Sequence, residues 1–158
     1  MSSRSEVTVR AMRTEDLTAV LLIEQNAQIS PWSRLSFEAS LSNGDWCRVL
    51  CVDNRVVGYH VCSTVLDELH LLNVVVAPSM QGKGFGHRLM HDIAELAATN
   101  GLVKIFLEVR VSNVVAQTMY QQWQFKQIGI RKQYYAASNA DAPTREDALV
   151  FMRLLGDQ

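Results

Sequence analysis

Between Glu68 and Asn100 the chain passes from a strand into a glycine-rich loop and from that loop directly into a helix, a succession that few folds accommodate. Glu68–Val76 reads as a strand, with the apolar run Leu71-Leu72-Asn73-Val74-Val75-Val76 at its end, stopped by Ala77-Pro78. Gln81-Gly82-Lys83-Gly84-Phe85-Gly86 then places three glycines within five residues. Glycine lets a backbone turn tightly and leaves its N–H groups unobstructed by Cβ. From about Gly86 to Asn100, Leu89, Ile93, Leu96 and Ala97 share one face of an amphipathic helix, with Gly101 as its C-cap. N–H groups at a helix start, together with the positive end of the macrodipole, favour an anion. The chemistry is that of a phosphate cradle. The spacing is not the G-x-x-x-x-G-K-[ST] of a P-loop. It is not the dinucleotide fingerprint either, because Gly82-x-Gly84 is followed at the required third position by His87. An ordinary strand-to-helix turn rich in glycine has the same composition, so spacing alone leaves both readings open.

The rest of the chain supplies a sheet for that unit to join. Glu6–Arg10 reads as a strand, Thr14 as the N-cap of a helix through Leu17, Val20, Leu21 and Glu24, and Pro31-Trp32-Ser33 as the start of a second helix stopped by Asn43-Gly44-Asp45. Trp46–Val52 and Val56–Val65 form a hairpin across an Asp53-Asn54 turn. Val103–Val109 is a buried strand, Ser112-Asn113 cap a helix through Trp123, and Phe125–Tyr135 and Ala148–Leu154 are the last strands, separated by a polar loop, Ala136–Thr144. The order β-α-α-β-β-β-α-β-α-β-β, without repeats or long linkers, predicts one α/β (α+β) domain over residues 1–158.

Fifteen Lys+Arg against sixteen Asp+Glu give a net charge of −1, which argues against broad binding to nucleic acid or an anionic membrane. No apolar run approaches the roughly 18 residues of a membrane span, and Met1-Ser2-Ser3-Arg4-Ser5-Glu6 lacks the apolar stretch of a secretory signal. Cys47, Cys51 and Cys62, odd in number and set in apolar strands, read as buried thiols of a reducing, cytoplasmic compartment and not as a disulfide framework. His87 and His91 stand i, i+4 on the helix after the loop, but no Glu-containing HExxH pattern or third ligand accompanies them, so no metal is expected.

Gln81-x-x-Gly84-x-Gly86 resembles the [Q/R]-x-x-G-x-[G/A] signature of the GNAT acetyltransferase superfamily, at the expected place between strand and helix. Leu72-Asn73-Val74-Val75-Val76-Ala77-Pro78, Leu107-Glu108-Val109-Arg110-Val111-Ser112-Asn113, Arg131-x-x-Tyr134-Tyr135, Arg145-Glu146-Asp147-Ala148 and Pro31-Trp32-Ser33 are similar to the bacterial ribosomal-protein-alanine N-acetyltransferases, and the likeness runs from about residue 7 to 154. The resemblance implies the GNAT fold: a mixed, mostly antiparallel sheet, flanked by helices and splayed at a bulge beside the strand ending at Val76. It implies acetyl-CoA as co-substrate, with backbone groups at Val74, Val75 and Val76 on the pantetheine arm and thioester. Backbone amides of Gln81, Gly82, Lys83, Gly84, Phe85 and Gly86 would hold the pyrophosphate, and Asn113 would contact CoA. Glu108 matches the family's base and Tyr120 its acid, while Trp32, Tyr134, Tyr135 and Arg145 fall near the acceptor. The implied acceptor is the N-terminal alanine of a ribosomal protein, small-subunit protein eighteen, modified in the cytoplasm by a monomer.

The chemistry suits those residue types. An ammonium must lose a proton before it attacks a thioester, which asks for a carboxylate, and the departing thiolate needs a proton. A phenol with an intrinsic pKa of about 10 serves as donor and not as base. Each residue alone has a plainer reading: Glu108 as an ion-pair partner of Arg110 or Lys104, Tyr120 and the Tyr134-Tyr135 pair as packing aromatics. Two other functions remain open at this level, a GNAT enzyme for another amine (lysine, polyamine or small molecule) and a non-catalytic CoA-binding module. One departure stands out. Where the family reads Leu-Gly-Phe after the tyrosine helix, this chain has Trp123-Gln124-Phe125, which predicts left-handed strain of about 1–2 kcal/mol at Gln124.

Overall fold

Residues 5–135 and 145–156 are described by a computed structural model, so the Ala136–Thr144 loop lies outside the described residues. The elements are β1 (Val7–Ala11), α1 (Leu17–Ala27), α2 (Arg34–Asn43), β2 (Trp46–Val52), β3 (Arg55–Val65), β4 (Glu68–Val76), α3 (Phe85–Thr99), β5 (Lys104–Arg110), α4 (Val114–Gln122), β6 (Lys126–Tyr135) and β7 (Glu146–Leu154). Seven strands form one sheet in the order β1-β2-β3-β4-β5-β7-β6, with β4 and β5 parallel. Two compact units can be distinguished, Met1–Ser63 with Leu72–Glu95, and Thr64–Leu71 with Leu96–Gln158; β3, β4 and α3 contribute residues to both. No helix among the described residues is long and apolar enough to cross a membrane.

In the first unit, β2 and β3 pair antiparallel around Asp53 and Asn54, whose φ values of 51° and 69° are those of a tight hairpin turn. The apolar stripe of α1 (Leu17, Val20, Ile23) and Phe37 of α2 are buried with Val49, Tyr59 and Val61 of the strands. Ser33 caps α2 by accepting the Ser36 N–H at 3.2 Å, and Gly44 ends it in the left-handed region. Thr14 is not the N-cap its position predicts. It opens a short 3-10 turn, Thr14–Asp16, in which the Asp16 carboxylate accepts the Arg13 N–H at 2.7 Å and the Arg10 guanidinium at 2.8 and 2.9 Å. Those bonds satisfy the entry with an acid and delay α1 to Leu17. Gly58 of β3 sits where a Cβ would lie 2.9 Å from the Val75 carbonyl oxygen and 3.3 Å from Leu89, so only glycine lets β4 approach this closely.

In the second unit the parallel ladder runs from Glu68↔Lys104 to Leu71↔Leu107 and stops, although β5 continues to Arg110 with β7 as ladder partner. β7 starts at Glu146, two residues earlier than its apolar pattern predicts, because Glu146 pairs with Tyr135 of β6. The end of α4 bears out the reading of Gln124. Its φ is 71°, the Gln124 N–H donates to the Gln121 carbonyl and the Phe125 N–H to the Tyr120 carbonyl, both at 3.0 Å. That is the two-bond Schellman closure, with the Phe125 ring packed 5.9 Å from Tyr120 and a glutamine where glycine would relieve the strain. Gln124→Gly should therefore raise the unfolding free energy by about 1 kcal/mol, the strain relieved less the added freedom of the unfolded chain. Urea denaturation checks this, and a loss of stability would contradict the reading of the helix end.

Candidate active site

The loop after β4 is built as its sequence predicts. Pro78–Met80 forms a single 3-10 turn, and the Gln81 amide donates back to the Val76 carbonyl at 3.0 Å, so the strand end and the loop are tied together. Gly82 and Gly84 have φ of +78° and +87°, and a Cβ on either would meet nothing within 4 Å. Their backbone thus faces open space in a conformation that side-chain-bearing residues seldom adopt. The Gly84 carbonyl accepts the Arg88 N–H at 3.1 Å, the first bond of α3, and the N–H groups of the turn just inside have no acceptor in the helix itself. Gln81, Gly82, Lys83 and Gly84 are exposed, Phe85 and Gly86 half-buried. The arrangement suits the pyrophosphate of a cofactor, with Val74 and Val76 half-buried and Val75 buried on the strand before it.

The second unit gathers Glu108, Tyr120, Tyr134 and Tyr135 into one cluster. Glu108 on β5 keeps 30% of its side chain exposed, and its two carboxylate oxygens accept the Arg131 guanidinium at 3.2 and 3.0 Å. The partner expected from sequence was Arg110 or Lys104; Arg110 instead binds Glu146 at 3.2 Å. The register explains the exchange. Val150 of β7 lies opposite both Glu108 and Gly129, and a Cβ at Gly129 would meet open space, which leaves Arg131 a clear reach across β7. The Arg131 guanidinium also covers the Tyr134 ring at 4.1 Å and Arg110 covers Tyr135 at 4.6 Å, while the two tyrosine rings meet edge-on at 5.1 Å. Burial works against ionisation of Glu146, yet bonds from Ser112 and Arg110 outweigh it and hold this carboxyl below its usual range.

Tyr120 on α4 is buried against Phe125 and Phe151. Burial, reinforced by Tyr135, pushes its phenol well above its ordinary value, and burial with the Glu108 charge pushes Tyr135 up to about 12. Tyr120 therefore holds its proton throughout the neutral range. Asn113 caps α4, its Oδ1 accepting the Ala116 N–H at 3.2 Å, and Arg145 is exposed. Trp32 is half-buried with its ring 5.1 Å from Phe37, and it belongs to the first unit.

Two buried polar groups escaped the sequence reading. The Glu24 side chain is fully buried and accepts the Tyr59 hydroxyl at 2.6 Å, the Trp32 N–H at 2.9 Å and the Asn73 amide at 3.1 Å. The signal was an acid on the apolar stripe of α1 and an asparagine inside the apolar run of β4. The second group joins His60, Cys62, Asp92 and Arg48. His60 Nε2 lies 2.8 Å from Asp92 and Nδ1 3.4 Å from the Cys62 sulfur, while Arg48 donates to both Asp92 oxygens at 3.1 Å. The order of types is that of a nucleophilic triad, but the environment forbids the chemistry. Burial pushes the Cys62 thiol well above its usual value and Cys47 up to about 11, and burial lowers His60 despite Asp92. No cluster of metal-ligating side chains occurs among the described residues, and His91 pairs instead with Glu95 at 3.8 Å.

Comparison with known proteins places this geometry. Residues 10–125 match the family model described as Acetyltransferase (GNAT) family. A curated relative, the [ribosomal protein bS18]-alanine N-acetyltransferase of Salmonella typhimurium, is 33% identical over 90% of this chain and 94% of its own. The crystal structure of the ribosomal-protein-S18-alanine N-acetyltransferase from Escherichia coli superposes with a TM-score of 0.88, at 29% identity, over 97% of this chain and 96% of that one. Arabidopsis thaliana Naa50, solved in complex with the bisubstrate analogue CoA-Ac-MVNAL, shares the fold at a TM-score of 0.79 and 16% identity, over 93% and 97% of the two chains. The chain belongs to the GNAT acetyltransferase family.

All three cysteines are buried. A thiol reagent at pH 8 should label none of them in the native protein and all three in denaturant. Rapid labelling of one thiol in the folded protein would contradict the burial assigned here.

Proposed function

We propose that this chain transfers the acetyl group of acetyl-CoA to the free α-amino group of an N-terminal alanine, on ribosomal protein bS18 in the cytoplasm. The observation that carries the reading is the joining of a partly exposed carboxylate, Glu108, and a buried, proton-holding phenol, Tyr120, around Tyr135. The names of the relatives support the acceptor.

The transfer is direct. Glu108 takes the proton from the incoming ammonium, the freed nitrogen attacks the thioester carbonyl, the C–N bond forms and the C–S bond breaks. Tyr120 then gives its proton to the departing thiolate, and the second proton that the nitrogen sheds as the amide forms restores the Tyr120 phenol. Backbone groups at Val74, Val75 and Val76 pair with the pantetheine arm and polarise the carbonyl. The amides of Gln81 to Gly86 hold the pyrophosphate and Asn113 lies beside the CoA. Trp32, Tyr134, Tyr135 and Arg145 line the acceptor side. A relay through a thiol is disfavoured, since Cys47, Cys51 and Cys62 are buried with their thiols pushed upward. Glu108 is freed cheaply, because an exposed ion pair such as Glu108–Arg131 contributes only about 0.2–1 kcal/mol, and an arriving ammonium replaces the guanidinium in kind. The α-amine, with a pKa of about 8, is easier for a carboxylate to deprotonate than lysine.

A pH–rate profile with an alanine-initiated peptide tests the assignment. Glu108→Gln should lose about 10²- to 10⁴-fold in kcat near neutrality and recover partly as pH rises, because solution then supplies neutral amine. Tyr120→Phe should lose kcat with little change in KM and gain nothing from alkali. The same peptide blocked at its N-terminus but containing lysine should remain unmodified. Wild-type kcat in Glu108→Gln at neutral pH would remove it as the base, and lysine acetylation at a comparable rate would redirect the acceptor.

A further inference from the structure

A fully buried carboxylate that receives three donors is an expensive arrangement, because each donor has to be held in place or the acceptor is left unsatisfied. Glu24 is such a group. Two of its partners tie one stretch of chain. Residues 28–33, between α1 and α2, form no helix or strand. The far end of this stretch is fixed by the Trp32 N–H donating to Glu24 at 2.9 Å. The near end is held twice, by the Gln28 N–H donating to the Glu24 carbonyl at 3.0 Å as the cap of α1 and by the Gln28 side-chain amide, which donates to Asn73 Oδ1 at 2.9 Å, while the Asn73 amide donates onward to the Glu24 carboxylate at 3.1 Å. One buried acid therefore anchors both ends of the connection, and it does so against β4 immediately before Val74. Tyr59 supplies the remaining donor, at 2.6 Å, and contacts Phe37 edge-on at 5.8 Å without binding the connection.

We propose that Glu24 is a positioning residue for the acceptor: through Trp32 and through Asn73–Gln28 its carboxylate clamps the 28–33 connection in the geometry that receives the amine-bearing chain end. The inference rests on the acceptor-side role proposed above for Trp32. The residue touches neither substrate, so its loss should act on the acceptor without acting on the cofactor. The reason is geometric: a connection held by two hydrogen-bonded ends loses its single conformation when either end is released, and acceptor binding then has to reorder it.

The test compares three variants of the whole protein, by steady-state kinetics with an alanine-initiated peptide, acetyl-CoA affinity by calorimetry and thermal unfolding. Gln28→Ala removes the side-chain tie of the near end without leaving a buried charge unpaired, and should raise the peptide KM by about 10-fold or more while acetyl-CoA affinity and melting temperature stay near wild type. Glu24→Gln keeps one acceptor oxygen but turns an amide against the remaining donors, loosening the ties through Trp32 and Asn73 together, and should raise the peptide KM further, by about 10- to 100-fold, with a lower melting temperature. Tyr59→Phe removes a donor that does not bind the connection, and should lower the melting temperature with the peptide KM unchanged. Unchanged peptide KM in Gln28→Ala, or equal KM increases in Gln28→Ala and Tyr59→Phe, would reduce Glu24 to a packing role and overturn the proposal. If Glu24→Gln does not fold, the comparison of Gln28→Ala with Tyr59→Phe decides alone. A wild-type protein that ignores the peptide would instead overturn the acceptor reading, and is read before any variant.

Discussion

The Glu24 carboxylate, buried on the apolar face of α1, sets a demand that the first unit is arranged to meet. Hydrogen bonds to a charged group are worth about 1.5–3 kcal/mol, and a buried acceptor left without donors costs a comparable amount. Three donors from three places in the sequence answer that demand: Tyr59 of β3, Asn73 of β4 and the backbone of Trp32. None can be moved without leaving the acid short. Burial and the Glu24 charge drive the Tyr59 phenol far above its ordinary value, so this donor does not ionise. The same constraint fixes where β4 runs, and Gly58 admits β4 at a distance that a Cβ would forbid.

The second unit handles protons by the opposite means. There the ladder between β4 and β5 ends at Leu71↔Leu107, and the next residue on β5 is Glu108. Its carboxylate is partly exposed and held by a more accessible guanidinium, so it can exchange partners. Tyr120 is buried, and its proton is retained because a phenolate could not be solvated there. In the mechanism proposed above, the accessible group takes a proton and the enclosed one keeps its own until the thiolate leaves. Arg110, Glu146 and the Ser112 N–H brace the surrounding strands without occupying either role.

Local chemistry was legible in the sequence, and long-range pairing was not. The Gly82 and Gly84 turn, the Asp53-Asn54 hairpin, the Ser33 cap and the strained Gln124 each depend on a few neighbouring residues, and each stands where spacing predicted it. Thr14 failed as a cap because the turn begins one residue earlier: Arg13 is the cap position, and the Asp16 carboxylate reaches back to its N–H. Glu108 drew Arg131 and not Arg110 because the choice is made across β7, through a register no single strand reveals. Glu24 marked a helical stripe and nothing more, since its donors lie 8, 35 and 49 residues away. The signature loop and the Leu-Glu-Val-Arg-x-Ser-Asn stretch sufficed for the family; the buried network around Glu24 appeared only with the fold.

The most direct measurement of the central claim is made on the acceptor itself. Ribosomes from cells of the source organism with and without this gene would be analysed by mass spectrometry of the bS18 N-terminus. With the gene present, the terminal alanine should carry an acetyl group. Without it the alanine should be free, and the wild-type gene, but not a copy encoding Glu108→Gln, should restore the modification. An N-terminus that stays fully acetylated when the gene is gone would contradict the account.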